Sequence, residues 1–349
     1  MVIQRTRISS RDVARVAGVS ANTVSLVVRD SPLVTQATKE RVRAVIDRLG
    51  YRPHAAAAAL RSTRSRTLGF LVPEVKEPIQ DVFRHQLLSA ITTRAREADH
   101  YLLVDTFVEA GRCLALLDSG RIDGAIVDWR IPDEVLKGLV ARGAPIVLAG
   151  RDAGGLPVGW VMADEEGGAY EAGRHLLAAV GARGRGHDPL ALLAAVEEET
   201  NAVAQARVQG YRRALDEAGR PLDPKYVAHG DWTFESGVAE GRRLLAQAPR
   251  PDAIFALDEL MAMGVLRAAG ELGLRVPDDL ALATVEDNPW VDYVQPRLTA
   301  VHVPMHEVGV RATDALLALL ADPNAPPQRL VLPTTFTVRE SSAPRAGGR

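Results

Sequence analysis

Apolar and polar positions follow two different rhythms along this chain. Up to Leu49 the apolar residues recur three and four apart, the period of a helix with one buried face. Ser9 and Asp12 form an S-x-x-D capping pattern, which predicts a helix starting near Ser10 with Val13, Val16 and Ala17 inward. Gly18 supplies the left-handed residue that ends such a helix. Ser20 can cap a second helix with Val24, Val27 and Val28 buried, and Gln36 to Leu49 reads as a third that buries Val42, Val45, Ile46 and Leu49. Two short helices joined by a glycine-containing turn make a helix-turn-helix, and the third completes a small core.

From Thr67 the rhythm changes to short, wholly apolar runs separated by amphipathic stretches. Strands are predicted at Leu68–Val72, Tyr101–Val104, Ala125–Val127, Ile146–Leu148, Leu190–Leu193, Tyr226–Ala228, Ala253–Ala256 and Leu280–Val285. Helices are predicted at Leu87–Ala98, Gly167–Ala179, Val203–Ala218, Glu235–Ala248 and Leu260–Leu272. Strand-helix alternation implies parallel sheets with helices on both faces, and there is enough chain for two doubly wound lobes.

Composition and charge sharpen this division. A chain of 349 residues, 47% hydrophobic and 25% charged, is an ordinary globular sequence with room for more than one core. Residues 1–66 hold thirteen Lys and Arg against four Asp and Glu, a net of +9; the remainder carries −11, and the total of −2 conceals the split. A basic head on an acidic body is the footprint of a nucleic-acid binder. The single cysteine, Cys113, excludes an intrachain disulfide and reads as a small core residue in a reducing compartment. MVIQRTRISS lacks an apolar signal core and no later run is long enough for a bilayer, so a cytoplasmic protein with no membrane partner is expected.

D12-V-A-R-V-A-G-V-S20, T23-V-S25, the run R41-V-R-A-V-I-D-R-L-G-Y-R-P53 and a hinge ending at Leu60 resemble the lactose-repressor (LacI/GalR) family, and the likeness continues to Pro344. It implies an all-α helix-turn-helix headpiece over residues 1–50, a hinge helix and linker over 51–66, and a two-lobed domain like the periplasmic binding proteins over 67–341. The lobes are expected at about 67–162 with 291–322, and 163–290 with 323–341, the chain crossing between them near Trp160–Ala163, Asn288–Asp292 and Ala321–Pro326. The function implied is a transcriptional regulator, expected to repress, that binds double-stranded operator DNA as a homodimer and answers to a sugar-like effector.

In such a motif the second helix enters the major groove. Its exposed side offers Ala21, Asn22, Ser25 and Leu26: Asn22 suits adenine, and Ala21 or Leu26 a thymine methyl. Ser20, Thr23 and Ser25 can donate to phosphates, and Arg29 is expected to pair with one. The family's usual residues at Leu26 and Arg29 are Arg and Asn, so an atypical operator is expected. Pro53 can open a hinge helix built on Ala55 to Ala59, and Leu60 matches the family's minor-groove wedge. His54 stands for the usual Asn and Ala58 for a common Arg, so the polar contacts of that hinge are expected to depart from the family's. The alternative for the alanine run is a flexible linker.

Ligands of open parallel sheets sit beyond the carboxyl ends of strands. Arg151, Asp152, Asp258, Glu286 and Asp287 fall there, Trp232 lies in the loop G230-D-W-T-F-E-S-G237, and Arg207 opens R-V-Q-G-Y211. Acceptors, a donor and a flat apolar plate suit a polyhydroxylated ligand. The resemblance carries the effector contacts onto Arg207, Trp232, Asp258 and Glu286, and onto Arg151 and Asp152. Asp258 also reads as a helix cap, Glu286 and Asp287 as solvated loop acids, and Trp232 as lobe core. Asp258 stands where relatives often show Asn, and Glu286 where they show Asp, so a more acidic cleft is expected, suited to a ligand rich in hydroxyls or carrying an amine.

Other chemistry finds no support in the sequence. Gly181-Ala-Arg-Gly184-Arg-Gly186 has the wrong order for a dinucleotide loop and reads as a plain loop. His302 and His306 are separated by Pro304, which spoils a shared helical face, and no third metal ligand is evident. With no G-x-S-x-G, P-loop or zinc motif, no enzyme, cofactor or metal is expected. No heptads follow Glu340, so no tetramerising coiled coil is expected either. A solute-binding protein for uptake shares the lobes but has no use for the helix-turn-helix.

Overall fold

The computed structural model describes residues 8–28, 30–51, 65–72, 82–106, 110–182, 189–196 and 201–343. The chain divides into two compact units, residues 1–65 and 66–349.

The first unit contains α1 (Ser10–Ala17), α2 (Ala21–Val28) and α3 (Gln36–Leu49). The Asp12 amide donates to Ser9 Oγ at 3.3 Å while the Ser9 amide donates to Asp12 Oδ2 at 3.0 Å, a reciprocal capping box. Gly18 closes α1 at φ 65°, a left-handed conformation that a side chain disfavours. Val13, Ala14, Ala17, Val24, Val27, Val42 and Val45 form the core, flanked by Ile46 and Leu49. Val16 and Val28, expected inward, are each 42% exposed. On an eight-residue helix the inner face is narrow: it is centred on Val13, Ala14 and Ala17, and Val16 falls at its border. Val28 is the last residue of α2, past the contact with its neighbours. Lys39, buried, donates to the Asp30 carbonyl at 3.1 Å and with Arg43 pairs the Asp30 carboxylate, so the turn into α3 is pinned.

The second unit alternates strands and helices. Its strands are β1 (Thr67–Val72), β2 (Tyr101–Thr106), β3 (Gly124–Asp128), β4 (Ile146–Ala149), β5 (Gly159–Ala163), β6 (Leu190–Ala195), β7 (Val227–Gly230), β8 (Ala253–Ala256), β9 (Ala281–Val285), β10 (Thr299–His302), β11 (Arg329–Leu332) and β12 (Thr335–Thr337). Its helices are α4 (Val82–Glu97), α5 (Ala110–Asp118), α6 (Asp133–Ala141), α7 (Glu165–Gly181), α8 (Ala202–Glu217), α9 (Phe234–Leu245), α10 (Glu259–Glu271), α11 (Trp290–Tyr293) and α12 (Met305–Ala321). Two six-stranded sheets result, ordered β2-β1-β3-β4-β5-β11 and β7-β6-β8-β9-β10-β12. All pairings are parallel except β10 with β12. Central strands such as β3, β8 and β9 are buried at every position, as parallel strands covered on both faces must be.

The chain passes between lobes three times: from β5 into α7, from β10 into α12, and from β11 into β12. The first crossing follows Ala163, so Trp160–Ala163 is itself the end of a strand. The other two fall downstream of Asn288–Asp292 and Ala321–Pro326. Strand β10 pairs Thr299 with Ala283 and holds the chain in the second lobe, while β11 pairs Arg329 with Trp160 and holds it in the first. Each of these strands is four residues long, too short to announce itself by pattern.

Helices α7 and α8 touch backbone to backbone: a Cβ on Gly210 would lie 2.0 Å from the Glu166 carbonyl oxygen. Tyr211, fully buried, stacks on Phe255 with ring centroids 4.9 Å apart and donates to the Ala191 carbonyl at 3.2 Å. Burial of a side chain of this size contributes about 1.5–3 kcal/mol. Among the described residues no helix is long and apolar enough to cross a membrane. The hinge from Arg52 to Arg64 and the loop 183–188 lie outside the described residues.

Candidate functional site

Each unit carries one candidate site. In the first, Ser20 Oγ accepts from the Thr23 amide at 3.0 Å and bonds the Thr23 hydroxyl at 2.8 Å, fixing the start of α2. Asn22 is exposed beside them, while Ala21, Ser25 and Leu26 are half-buried along the same helix. The amides of the first turn have no helical acceptor, so this end attracts phosphate oxygens. Arg29, His54 and Leu60 lie outside the described residues.

In the second unit the site grows from the carboxyl ends of β8 and β9. Asp258 follows β8 and caps α10, its Oδ1 accepting from the Met261 amide at 3.0 Å. Glu286 follows β9 with φ 75°, a left-handed conformation held at the sheet edge. Arg207, one turn into α8 and 1% exposed, reaches Glu286 and lies within the electrostatic reach of Asp258. Its Nε donates to Glu165 Oε2 at 2.8 Å and its Nη1 to the Leu257 carbonyl at 2.7 Å, with Glu286 Oε1 at 3.5 Å. The guanidinium lies 5.5 Å from the ring centre of Phe83, which comes from α4 in the other lobe. Phe83 and Gln86 also line a small cavity between the lobes with Glu286, Asp287, Asn288, His302 and Val303.

Two further acids complete this centre. Glu165 is the first residue of α7, and Glu259 is the first of α10. Glu259 Oε1 accepts from Asn288 Nδ2 at 2.6 Å, but its Oε2 is buried with no hydrogen-bond partner among the described residues. Carboxylate oxygens of Asp258, Glu259 and Glu286 lie within 4.8 Å of one another. Burial, then the charge of Glu259, pushes the Asp258 carboxyl well above the ordinary carboxylate range. Glu286 is raised for the same reasons, with Arg207 pulling the other way. A proton on Glu286 turns its repulsion with Glu259 into a hydrogen bond.

Trp232 sits in the loop after β7, at the carboxyl edge of the same sheet, with φ 67°. Its ring packs against the lobe core, and its Nε1 is buried without an acceptor among the described residues. Arg151 and Asp152 are placed differently. Arg151 donates to the carbonyls of Trp129 at 2.8 Å, Ile131 at 3.1 Å and Asp152 at 3.3 Å, and to Asp133 at 2.7 Å. That engages four of the five N–H groups a guanidinium has, so Arg151 clamps the loops after β3 and β4. Asp152 is exposed and accepts from the Gly154 amide at 2.8 Å, a local turn.

At the facing edge of the first lobe, Arg84 Nε donates to Asp128 Oδ2 at 2.8 Å, both side chains being buried. The guanidinium lies 5.0 Å from the Trp129 ring centre, and Phe83 meets Trp129 edge-on at 5.7 Å. Sequence reasoning passed over Glu165, Glu259, Phe83 and this pair. The one available signal was D258-E259, two acids in succession directly after a buried strand.

The model of bacterial regulatory proteins of the lacI family matches residues 10–54, and that of the periplasmic binding protein-like domain matches residues 182–342. The HTH-type transcriptional regulator CelR of Thermobifida fusca is 32% identical over 97% of this chain and 99% of its own length. A solved CelR–cellobiose complex is similar with a TM-score of 0.71 at 31% identity, over 96% of this chain and 100% of that one. The lac repressor dimer bound to operator and the anti-inducer ONPF gives 0.84 at 25% identity, over 97% and 100%.

Proposed function

This chain belongs to the LacI family of bacterial transcriptional regulators, and on that premise we propose that it is a homodimeric cytoplasmic repressor released or engaged by a polyhydroxylated effector held between its lobes. The observation that carries the effector site is the convergence of Arg207, Asp258 and Glu286 at the carboxyl edge of one sheet, against Phe83 of the other lobe. Trp232 on the same edge offers a flat face for a sugar ring. Arg151 and Asp152 then serve the effector only by holding the loops of the first lobe in shape. The cellobiose in the CelR complex and the operator under the lac repressor dimer point the same way for ligand and DNA.

On the DNA side, Asn22 is the residue placed to read a base, with Ala21, Ser25 and Leu26 beside it and the Ser20–Thr23 turn toward phosphate. Arg29 adds a phosphate contact; His54 and the Leu60 wedge belong to a hinge that orders in the minor groove. Closure of the lobes on effector alters the spacing of paired hinges, and by reciprocity DNA alters effector affinity by the same factor. The domain limits 1–50, 51–66 and 67–341 follow from this division of labour.

The test measures operator affinity of the purified protein against a panel of sugars, with thermal shift as the binding readout. An effector should change operator affinity in wild type, while Arg207→Ala should bind operator and ignore it; an unchanged dose response in the variant would misplace the cleft. Asn22→Ala should cost about 1–3 kcal/mol on the operator and almost nothing on random DNA. Equal losses on both would remove Asn22 from base reading.

A further inference from the structure

The three crossings between the lobes meet at one turn, the first of α7. The Asp164 amide donates to the carbonyl of Leu332, the last residue of β11, at 2.8 Å, and the Thr334 hydroxyl donates to the Asp164 carbonyl at 3.2 Å. Those two bonds bolt the crossing from β5 to the crossing from β11. The third lies as close: a Cβ on Gly168 would stand 2.6 Å from Val301 Cγ1 on β10 and 2.8 Å from Thr334 Oγ1. The turn itself is held by the Asp164 cap, whose Oδ1 accepts from the Gly167 amide at 2.9 Å. A capped and crowded turn of this kind moves as one piece, because packed interiors shift between discrete arrangements rather than deform.

Glu165 extends from this turn toward the cleft. It is 5% exposed, and its Oε2 accepts from Arg207 Nε at 2.8 Å. The guanidinium is held from other sides as well: Nη1 donates to the Leu257 carbonyl after β8 at 2.7 Å, and the Phe83 ring of the other lobe lies 5.5 Å away. The bond to Glu165 is the contact that runs to the turn where the crossings meet. Three residues past Arg207, Gly210 brings α8 against the same turn, in backbone contact with Glu166. That contact keeps Arg207 and the turn in register, so the Glu165 side chain spans a fixed gap.

Resting on the cleft assignment above, we propose that Glu165 is the positioning residue of the effector response. It ties the Arg207 guanidinium to the lobe crossings, so a ligand that draws the guanidinium toward itself draws the crossings with it. A buried carboxylate parted from its cation is costly, and Glu165 therefore follows the guanidinium rather than letting it go. Glu165 touches no ligand in this scheme; it converts the position of one side chain into the geometry of three chain crossings.

The experiment is hydrogen–deuterium exchange on the full-length protein without ligand, read at short labelling times, when amides report local opening rather than global unfolding. Peptides over residues 160–170 and 330–337 report the crossings, and peptides over α6 and the start of α10 serve as references. Glu165→Ala should speed exchange at both crossings by about tenfold to a hundredfold, the worth of one charge-assisted hydrogen bond, and leave the references unchanged. Arg207→Ala, which imitates withdrawal of the guanidinium, should loosen the same two segments, and the double variant should loosen them no further. Glu165→Gln keeps an oxygen for Nε and should show the same pattern at about threefold to tenfold; it is the variant to read should Glu165→Ala not fold. Crossings as protected as in wild type, an equal rise at the references, or additive effects in the double variant would each overturn the proposal. Failure of the cleft assignment looks different: a sugar would then stabilise Arg207→Ala as strongly as wild type, whatever the crossings do.

Discussion

The two lobes present facing edges of opposite electrostatic character. In the first, Arg84 and Asp128 form a buried ion pair against Trp129, and Arg151 is engaged by carbonyls and Asp133. Charges there are matched within the protein. In the second, one guanidinium serves several acids, and one carboxylate oxygen is left without a donor among the described residues. A matched edge makes a rigid wall; an unmatched one stores an electrostatic cost that a ligand can relieve on binding. Equivalent strand ends of two similar sheets thus do different work, and the difference lies in charge balance rather than in fold.

Substitutions can break or sharpen this contrast. The largest effects should come from removing one member of a buried pair. Asp128→Asn leaves Arg84 with a weaker partner, and Arg207→Ala leaves its acids facing each other; each should cost about 3–5 kcal/mol in chemical denaturation. A loss below about 1 kcal/mol at Asp128 would mean that the first edge does not depend on its pair. A smaller effect of opposite sign is expected at Glu286→Gln. The Glu286 carboxyl is raised in the folded state by burial and by Glu259. Its contribution is therefore intact below the unfolded value near 4.5 and is lost as pH climbs toward the raised folded value. The ligand-free variant should melt higher than wild type near neutral pH, by about 2–4 °C per kcal/mol recovered, and its melting point should vary less with pH. An unchanged or lower melting point would show that Glu286 supports Arg207 more than it strains the cleft. On the acid side Asp105, held low chiefly by its bond from Arg112, acts in reverse: its contribution fades as pH falls. Least of all, Ser9→Ala in the headpiece should cost about 1 kcal/mol through loss of the capping box, without altering effector binding.

Much of this was legible in the residues. Central strands announced themselves as unbroken apolar runs because both faces are covered. The edge strands β11 and β12 did not, because they are short, half-exposed and read like loops. Asp258 and Glu286 could be placed together because strand ends in a parallel sheet share one edge, and Arg207 through the family resemblance. Glu165 and Phe83 could not, since one starts a helix after a lobe crossing and the other comes from the opposite lobe. Nor does sequence show which donors are already occupied, and so Arg151 looked free when it is clamped. In the headpiece the cap at Ser9 was plain, whereas Val16 illustrates how an eight-residue helix leaves a border valine on either side of the count.

The last two strands carry a consequence for shortened variants. β11 borders one sheet and β12 the other, and the stretch behind them docks home through Ser341 Oγ, which donates to the Leu282 carbonyl at 2.6 Å. A stop codon between Asp322 and Arg329 would therefore unzip an outer border from both lobes at once. The DNA reader precedes both sheets along the chain, while each sheet gains its outer strand only from Arg329–Leu332 or Thr335–Thr337.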